Sequence, residues 1–172
     1  MQRYVVRWSL ALVVVLLSSC GRIGFEARAG EGDDGDDGPG GDAALPQIAC
    51  ADMNLGSALG PSVASGSVSG AGNQYAGCGG DFNDVTFGWF APAAGSYQID
   101  LCGSDQLWDS VLSVRDGTCT GPSLACNDDS CGGPAQLQPR VTVNLAAGQG
   151  IVIIVDSAIP TAGSYQLAIT KL

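Results

Sequence analysis

The chain has 172 residues, which suffices for one ordinary domain but not for two. Its formal net charge is -10, and an acidic protein repels nucleic-acid phosphates instead of neutralising them. It contains no histidine, so Ser-His-Asp and Cys-His catalytic sites are excluded and the commonest zinc ligand is missing. The composition therefore favours a protein that is not an enzyme and has no nucleic-acid partner.

The N-terminus has the layout of a lipoprotein signal peptide over residues 1–19. Arg3 and Arg7 supply positive charge ahead of the apolar run 10–17, which is shorter than the roughly 20 residues that a membrane-spanning helix needs. The run ends in Leu-Ser-Ser before Cys20, which resembles the bacterial lipobox. The resemblance implies cleavage before Cys20 and its acylation, palmitate included, and such chains anchor a protein in a membrane. An ordinary secretory signal with a chance cysteine is the alternative.

Residues 20–45 are predicted to form a flexible linker that begins at the lipidated cysteine. The stretch 30–42 contains only Gly, Asp, Glu and Pro, so it has no apolar side chain to offset the entropy of ordering it. A calcium-binding repeat is the alternative, but no glutamate follows Asp42 to close such a loop. Gly21 stands where inner-membrane lipoproteins carry a retention Asp, so the lipobox resemblance implies the outer membrane.

Residues 46–172 are predicted to form one all-β domain. In four stretches apolar and polar residues alternate with a period of two, as expected of strands with one face on a core. These stretches are residues 85–89, 97–101, 141–145 and 165–169. Residues 151–155 are all apolar and β-branched, which predicts a central strand covered on both faces. Turn residues separate the runs and no segment keeps a helical period, so the expected fold is an antiparallel β-sandwich.

A short pattern occurs twice, in residues 94–99 and 162–167. Each copy has Gly-Ser-Tyr at a strand entrance, which resembles the tyrosine corner of Greek-key sandwiches. In that corner the hydroxyl bonds to nearby backbone, so Tyr97 and Tyr165 are expected to be structural. Two similar turns in a glycine-rich chain are the alternative.

Six cysteines follow Cys20, and an even number in an exported domain indicates disulfide bonds. The span from Cys119 to Cys126 suits a hairpin bridge, and Cys50 with Cys78 would pin the N-terminal segment. The predicted pairs are Cys50–Cys78, Cys102–Cys131 and Cys119–Cys126. A zinc site is the alternative, but no Cys-x-x-Cys pair is present.

Four motifs follow one another along this domain. Residues 85–97 are an apolar strand followed by Ala-Pro and Gly-Ser-Tyr, and residues 108–114 read Trp-Asp-Ser-Val-Leu-Ser-Val. Residues 119–129 combine a cysteine hairpin with an Asn-Asp-Asp turn, and the last motif runs from residues 141–149 to the second Gly-Ser-Tyr. In this order, over roughly residues 48–172, the chain resembles the bacterial pre-peptidase C-terminal domain family.

That resemblance implies a jelly-roll-like β-sandwich without catalytic activity. Members of the family usually accompany secreted proteases, some bind calcium, and relatives bind collagen or glycans. No catalytic domain accompanies the present one, which favours a free-standing surface module.

Asp109 and the turn formed by Asn127, Asp128 and Asp129 are the candidate cofactor site. Calcium prefers several oxygen ligands, and the sandwich could bring these two turns together. The alternative is that the Asn-Asp-Asp turn is only an Asx turn and that Asp109 caps a strand. Residues 81–84 form a second acidic turn, which is a further candidate.

Trp108 lies in a polar loop and is the aromatic residue that we expect at a ligand-binding surface, whereas Trp89 falls on the inward side of its strand. An exposed patch of Trp108, Tyr75 and Phe82 would favour a surface binding module for a glycan or an envelope protein. A uniformly polar surface would favour a structural envelope lipoprotein with no specific ligand. In both hypotheses a lipid anchor at Cys20 holds the protein on the outer membrane.

Overall fold

The computed structural model describes residues 46–69, 72–73, 75, 78–80, 82–132 and 137–172. The signal peptide, Cys20 and the linker lie outside the described residues, and so does Asp81. The predictions made for them stay predictions.

Nine β-strands and no helix make up the described part of the chain. The strands are β1 (Met53–Asn54), β2 (Gly60–Ser67), β3 (Asp84–Phe90), β4 (Gly95–Asp100), β5 (Ser110–Asp116), β6 (Ser123–Asn127), β7 (Arg140–Leu145), β8 (Gly150–Ser157) and β9 (Ser164–Lys171). Within these residues nothing helical is long and apolar enough to cross a membrane.

The strands form two sheets, which confirms the predicted all-β sandwich. The five-stranded sheet has the order β1-β3-β8-β5-β6, and the four-stranded sheet has the order β2-β9-β4-β7. All neighbours are antiparallel except β1, which runs parallel to β3. Alternate side chains of both sheets meet in one core, because successive residues of a strand point to opposite faces.

Strand β8 is covered on both faces, as its unbroken apolar run predicts. Ile151, Ile153 and Val155 point into the core between the sheets. Val152 and Ile154 point the other way, where they pack against Ile48 and Cys119. The face of β8 that points away from the core is therefore covered by a loop segment and a cysteine, not by a third sheet.

The tyrosine corner is present at Tyr97. Its hydroxyl donates to the carbonyl oxygen of Ala93 at 2.6 Å and accepts from the Ala93 N–H at 3.3 Å. The ring is fully buried and packs edge-on against Trp89, with 5.1 Å between the ring centroids. Tyr165, in the second copy of the pattern, is also buried, but its hydroxyl lies against Gly66. The two copies therefore share a sequence and not a hydrogen-bond pattern.

Two of the three predicted disulfide pairs are wrong. Cys50 is bonded to Cys119 and Cys78 to Cys126, with Cα–Cα distances of 6.1 and 5.9 Å. The third bond joins Cys102 to Cys131, as predicted.

The pairing of β5 with β6 explains the error. Cys126 lies opposite Ser113, three residues before β5 ends at Asp116, whereas Cys119 follows in the turn beyond that end. Three strand residues span roughly 10 Å, which exceeds the Cα–Cα distance that a disulfide can bridge. A hairpin bridge from Cys119 to Cys126 is therefore geometrically excluded.

We expect Tyr97→Phe to lower the free energy of unfolding by about 1 kcal/mol, because it removes a buried hydroxyl with two backbone partners. Tyr165→Phe is the matched control, since it deletes the same atom from the same Gly-Ser-Tyr sequence and should lower stability less. Urea denaturation of both variants measures the difference. Equal losses would contradict the assignment of the corner to Tyr97 alone.

Candidate functional site

Three carboxylates meet at one end of the five-stranded sheet. Asp109 directly precedes β5, and Asp128 and Asp129 directly follow β6. Because β5 and β6 are antiparallel neighbours, the start of one lies beside the end of the other. Each of the three side chains offers a carboxylate oxygen, and these oxygens lie within 4.8 Å of one another. We call these three residues the carboxylate cluster.

The pKa values of Asp109 and Asp128 are shifted in the direction that disfavours their charge. Burial raises the pKa of Asp109 above its usual 3.8, and the charge of Asp129 raises it further. Burial likewise raises the pKa of Asp128, with further contributions from Asp129 and Asp109. Ionisation of the cluster without a counter-ion therefore opposes folding.

The loop before Asp109 is held by contacts with the segment that precedes β7. The side-chain amide of Gln138 donates to the carbonyl oxygens of Asp105, at 3.0 Å, and Trp108, at 3.3 Å. The backbone N–H of Ser110 donates to the carbonyl of Leu137 at 3.1 Å. These bonds fix the backbone on both sides of Asp109.

Two other predicted ligand positions accept hydrogen bonds from backbone N–H groups. The side-chain oxygen of Asn127 accepts the backbone N–H of Arg140 at 3.4 Å. In the second acidic turn, Asp84 is 3% exposed within β3 and accepts the N–H of Tyr75 at 2.6 Å. Among the described residues, the three aspartates of the first candidate site lie together.

The prediction that Trp108 is an exposed ligand-binding residue is wrong. Trp108 is 2% exposed, and its indole N–H donates to the hydroxyl of Ser157 at 3.0 Å. The backbone of Gly163 lies so close to the ring that a side chain there would collide with it. The ring therefore packs in the core below the loop. Trp108 was predicted to be exposed because its neighbours in the sequence are polar.

The exposed apolar residue of this loop is Leu107, which the sequence analysis missed. Its side chain is 84% exposed, and its backbone N–H donates to the Asp105 carboxylate at 3.0 Å, which sets a tight turn. Of two adjacent apolar residues in a short polar loop only one can turn inward, and the larger Trp108 does. Tyr75 and Phe82 are half-buried, so the predicted patch with Trp108 does not form.

No protein-family model and no curated protein matches the chain. The described residues fold as an all-β sandwich. Among solved structures, the chain is similar to the pre-peptidase C-terminal domain of a collagenase from Bacillus anthracis, with 12% identity over 62% of this chain and 86% of that one and a TM-score of 0.43.

Carbohydrate-binding modules also appear among the similar structures. One belongs to lichenase 5A of Cellvibrio mixtus, in complex with cellotriose, with 19% identity over 52% of this chain and 70% of that one and a TM-score of 0.33. Another comes from Clostridium stercorarium, in complex with cellobiose, with 17% identity over 52% of this chain and 67% of that one and a TM-score of 0.32.

We expect the pH dependence of stability to reveal the cluster in calcium-free buffer. A carboxyl group whose pKa is raised by folding destabilises the folded protein when it is ionised. This effect is absent below pH 3.8, where the group is protonated in both the folded and the unfolded protein. As the pH rises through the raised pKa of Asp109, wild-type protein should lose stability relative to Asp109→Asn.

The matched control is Asp116→Asn at the opposite end of the same strand, where the side chain accepts the amide of Gln149 at 2.8 Å and Asn keeps an acceptor. Thermal melts between pH 3 and 7 with EGTA measure the three proteins. If Asp109→Asn and Asp116→Asn follow the same pH profile, the cluster does not have the electrostatics described.

Proposed function

We propose that residues 46–172 form a non-catalytic binding module of the cell envelope that takes calcium at the carboxylate cluster and binds a glycan or a protein there. The observation that carries the proposal is the approach of Asp109, Asp128 and Asp129 to within 4.8 Å through their oxygens. A lipid anchor at Cys20 holds the module on the outer membrane.

The cluster fits calcium in both geometry and chemistry. Calcium binds oxygen ligands at about 2.3–2.6 Å, so two oxygens on one ion lie at most about 5 Å apart. The oxygens of the cluster satisfy this limit. Burial, and then the repulsion between the carboxylates, raise the pKa values of Asp109 and Asp128, and a divalent cation offsets both effects. In the absence of a cation these charges destabilise the fold.

A calcium ion at the cluster would keep coordination positions open for a ligand. Calcium takes about six to eight oxygen ligands, which is more than three carboxylates supply even when some bind through both oxygens. The open positions suit the hydroxyls of a glycan or the oxygens of a protein. Leu107, in the loop that ends at Asp109, offers an apolar contact at the same edge.

The anchor is supported by the sequence. The charged start, the short apolar run and the Leu-Ser-Ser-Cys segment match a lipoprotein signal, and the acidic glycine-rich linker suits a tether between membrane and module.

A structural envelope lipoprotein without a specific ligand is the second candidate. The burial of Trp108 favours it, because this burial removes the aromatic side chain expected to stack on a ligand. In this alternative, calcium would stabilise the fold and nothing further would bind.

We expect calcium to raise the melting temperature by several degrees, about 3–8 °C, when present at about a hundredfold excess over its Kd. Asp128→Ala should abolish the increase, because it removes a ligand from the cluster. Asp116→Ala, at the far end of β5, should keep it. Differential scanning fluorimetry with calcium and with EGTA measures all three proteins, and identical melts of the wild type in both buffers would overturn the calcium site.

Retention on immobilised envelope glycans and proteins separates the two candidates. A binding module is retained with calcium and released by EGTA, and Asp128→Ala is not retained. Stabilisation by calcium without retention would identify the structural lipoprotein.

We expect Cys20→Ser to abolish palmitate incorporation and to move the protein from the membrane to the soluble fraction, because the thioether anchor requires the cysteine sulfur. Ser19→Ala keeps a small residue before the cleavage point and should behave as wild type. Metabolic labelling and detergent phase partitioning measure both effects. Palmitate incorporation by Cys20→Ser would contradict the assignment.

A further inference from the structure

The segment 137–140, which leads into β7, lies between the two loops that carry the carboxylate cluster. One of these loops ends at Asp109, and the other follows β6 with Asp128 and Asp129. Within the segment, Gln138 is 1% exposed and is hydrogen-bonded to both loops. A buried polar residue needs such partners, because they offset the loss of its contacts with water.

The side chain of Gln138 holds the loop that ends at Asp109. Its amide donates to the carbonyl oxygens of Asp105 and Trp108, at 3.0 and 3.3 Å. Both partners are acceptors, so the nitrogen of the amide and not its oxygen must point to this loop. Trp108 directly precedes Asp109, and the second bond therefore fixes the peptide group that leads into Asp109.

The backbone of Gln138 holds the other loop. Its carbonyl oxygen accepts the N–H groups of Ser130 and Cys131, both at 3.0 Å. The hydroxyl of Ser130 also donates to the carbonyl oxygen of Arg140 at 3.0 Å and accepts the Arg140 N–H at 2.9 Å. Ser130 directly follows Asp129, so these bonds fix the chain where the acidic turn ends.

The disulfide from Cys102 to Cys131 joins the same two loops at a different place. Cys102 lies at the start of its loop, so the disulfide constrains the end of that loop at Asp109 only indirectly. The contacts of Gln138 reach this end directly.

We propose that Gln138 is the positioning residue of the carboxylate cluster. By joining the two loops, it holds the Asp109 carboxylate at the distance from Asp128 and Asp129 that calcium binding requires. It acts on the ligands through their backbone. This assignment rests on the proposed function, because it supposes that the cluster binds calcium.

Hydrogen exchange in EGTA tests the connection between the loops without calcium. Gln138→Met keeps the length of the side chain and removes its N–H donors. We expect amide exchange to become about tenfold faster at Ser110, Ser130 and Cys131, because segment 137–140 then loses its side-chain bonds to one of the two loops.

Gln149→Met is the matched control at the opposite end of β5. The side chain of Gln149 also connects two segments: its amide donates to the Asp116 carboxylate at 2.8 Å, and its oxygen accepts the N–H of Ala146 at 2.9 Å. This variant loses a comparable pair of bonds and should leave exchange at the two loops of the cluster unchanged.

Calcium affinity tests the consequence for the proposed site. Residues that orient metal ligands contribute a factor of about 10–100 to metal affinity. Isothermal titration calorimetry should therefore give a calcium Kd about tenfold higher for Gln138→Met than for the wild type, and an unchanged Kd for Gln149→Met. A residue that only stabilises the fold would lower the melting temperature in EGTA without changing the Kd.

Ser130→Ala is a second variant, at an exposed position, and it removes the two hydroxyl bonds to Arg140. It should also speed the exchange of Cys131 and raise the calcium Kd. The test therefore does not depend on the folding of Gln138→Met.

Two results would overturn the assignment. They are exchange in Gln138→Met that stays at the wild-type rate in either loop, and a calcium Kd of this variant equal to that of the wild type. Absence of calcium binding by the wild type would instead refute the proposed function, and the exchange rates would still decide whether Gln138 joins the two loops.

Discussion

The fold depends on covering both faces of β8. Five consecutive β-branched residues, Ile151 to Val155, have no polar face to offer to water, and burying each such side chain is worth about 1.5–3 kcal/mol. The four-stranded sheet covers one face. The other is covered by the segment around Ile48, which the bond from Cys50 to Cys119 ties across 69 residues of sequence. A domain without helices in its described part thus uses a disulfide-bonded segment as its third layer.

The register of β5 and β6 has two consequences at opposite ends of the hairpin. Leu112 pairs with Asn127 and Ser113 with Cys126, so each step back along β5 matches a step beyond β6. At one end this brings Asp109 beside the turn that follows β6. At the other it separates Cys126 from the turn that contains Cys119. One hydrogen-bond pattern therefore builds the carboxylate cluster and determines which cysteines cannot meet.

The sequence predicted those elements whose side chains alternate or are continuously apolar, since both patterns follow from burial. Strands β3, β4, β7, β8 and β9 are of this kind. Strand β2 has no such signal: its residues, Gly-Pro-Ser-Val-Ala-Ser-Gly-Ser, are mostly small and exposed, and pairing with β9 makes them a strand. Strand β1 has only two residues and depends on β3 in the same way. Strands that form through long-range pairing of this sort show no pattern in their own sequence that would predict them.

The candidate site was predictable to a similar degree. The acidic turn and Asp109 stand out by composition, and their meeting follows from a hairpin. The direction in which a single side chain points could not be predicted, because it depends on contacts with residues distant in sequence. Ser157 and Gly163 turn Trp108 inward, and the N–H of Arg140 engages Asn127. Two of the three disulfide pairs were mispredicted for the same reason.

The burial of Trp108 gives the protein a built-in optical probe. The chain has three tryptophans, and Trp8 belongs to the expected signal peptide, which leaves Trp89 and Trp108 as emitters in the mature chain. Trp89 sits deep in the core with its N–H on the carbonyl of Ala58, whereas Trp108 adjoins Asp109 in sequence. Once the contribution of Trp89 is removed by a phenylalanine, the emission wavelength and quenching of the remaining indole report on the loop itself. Movements at this edge can thus be followed in solution without attaching a label.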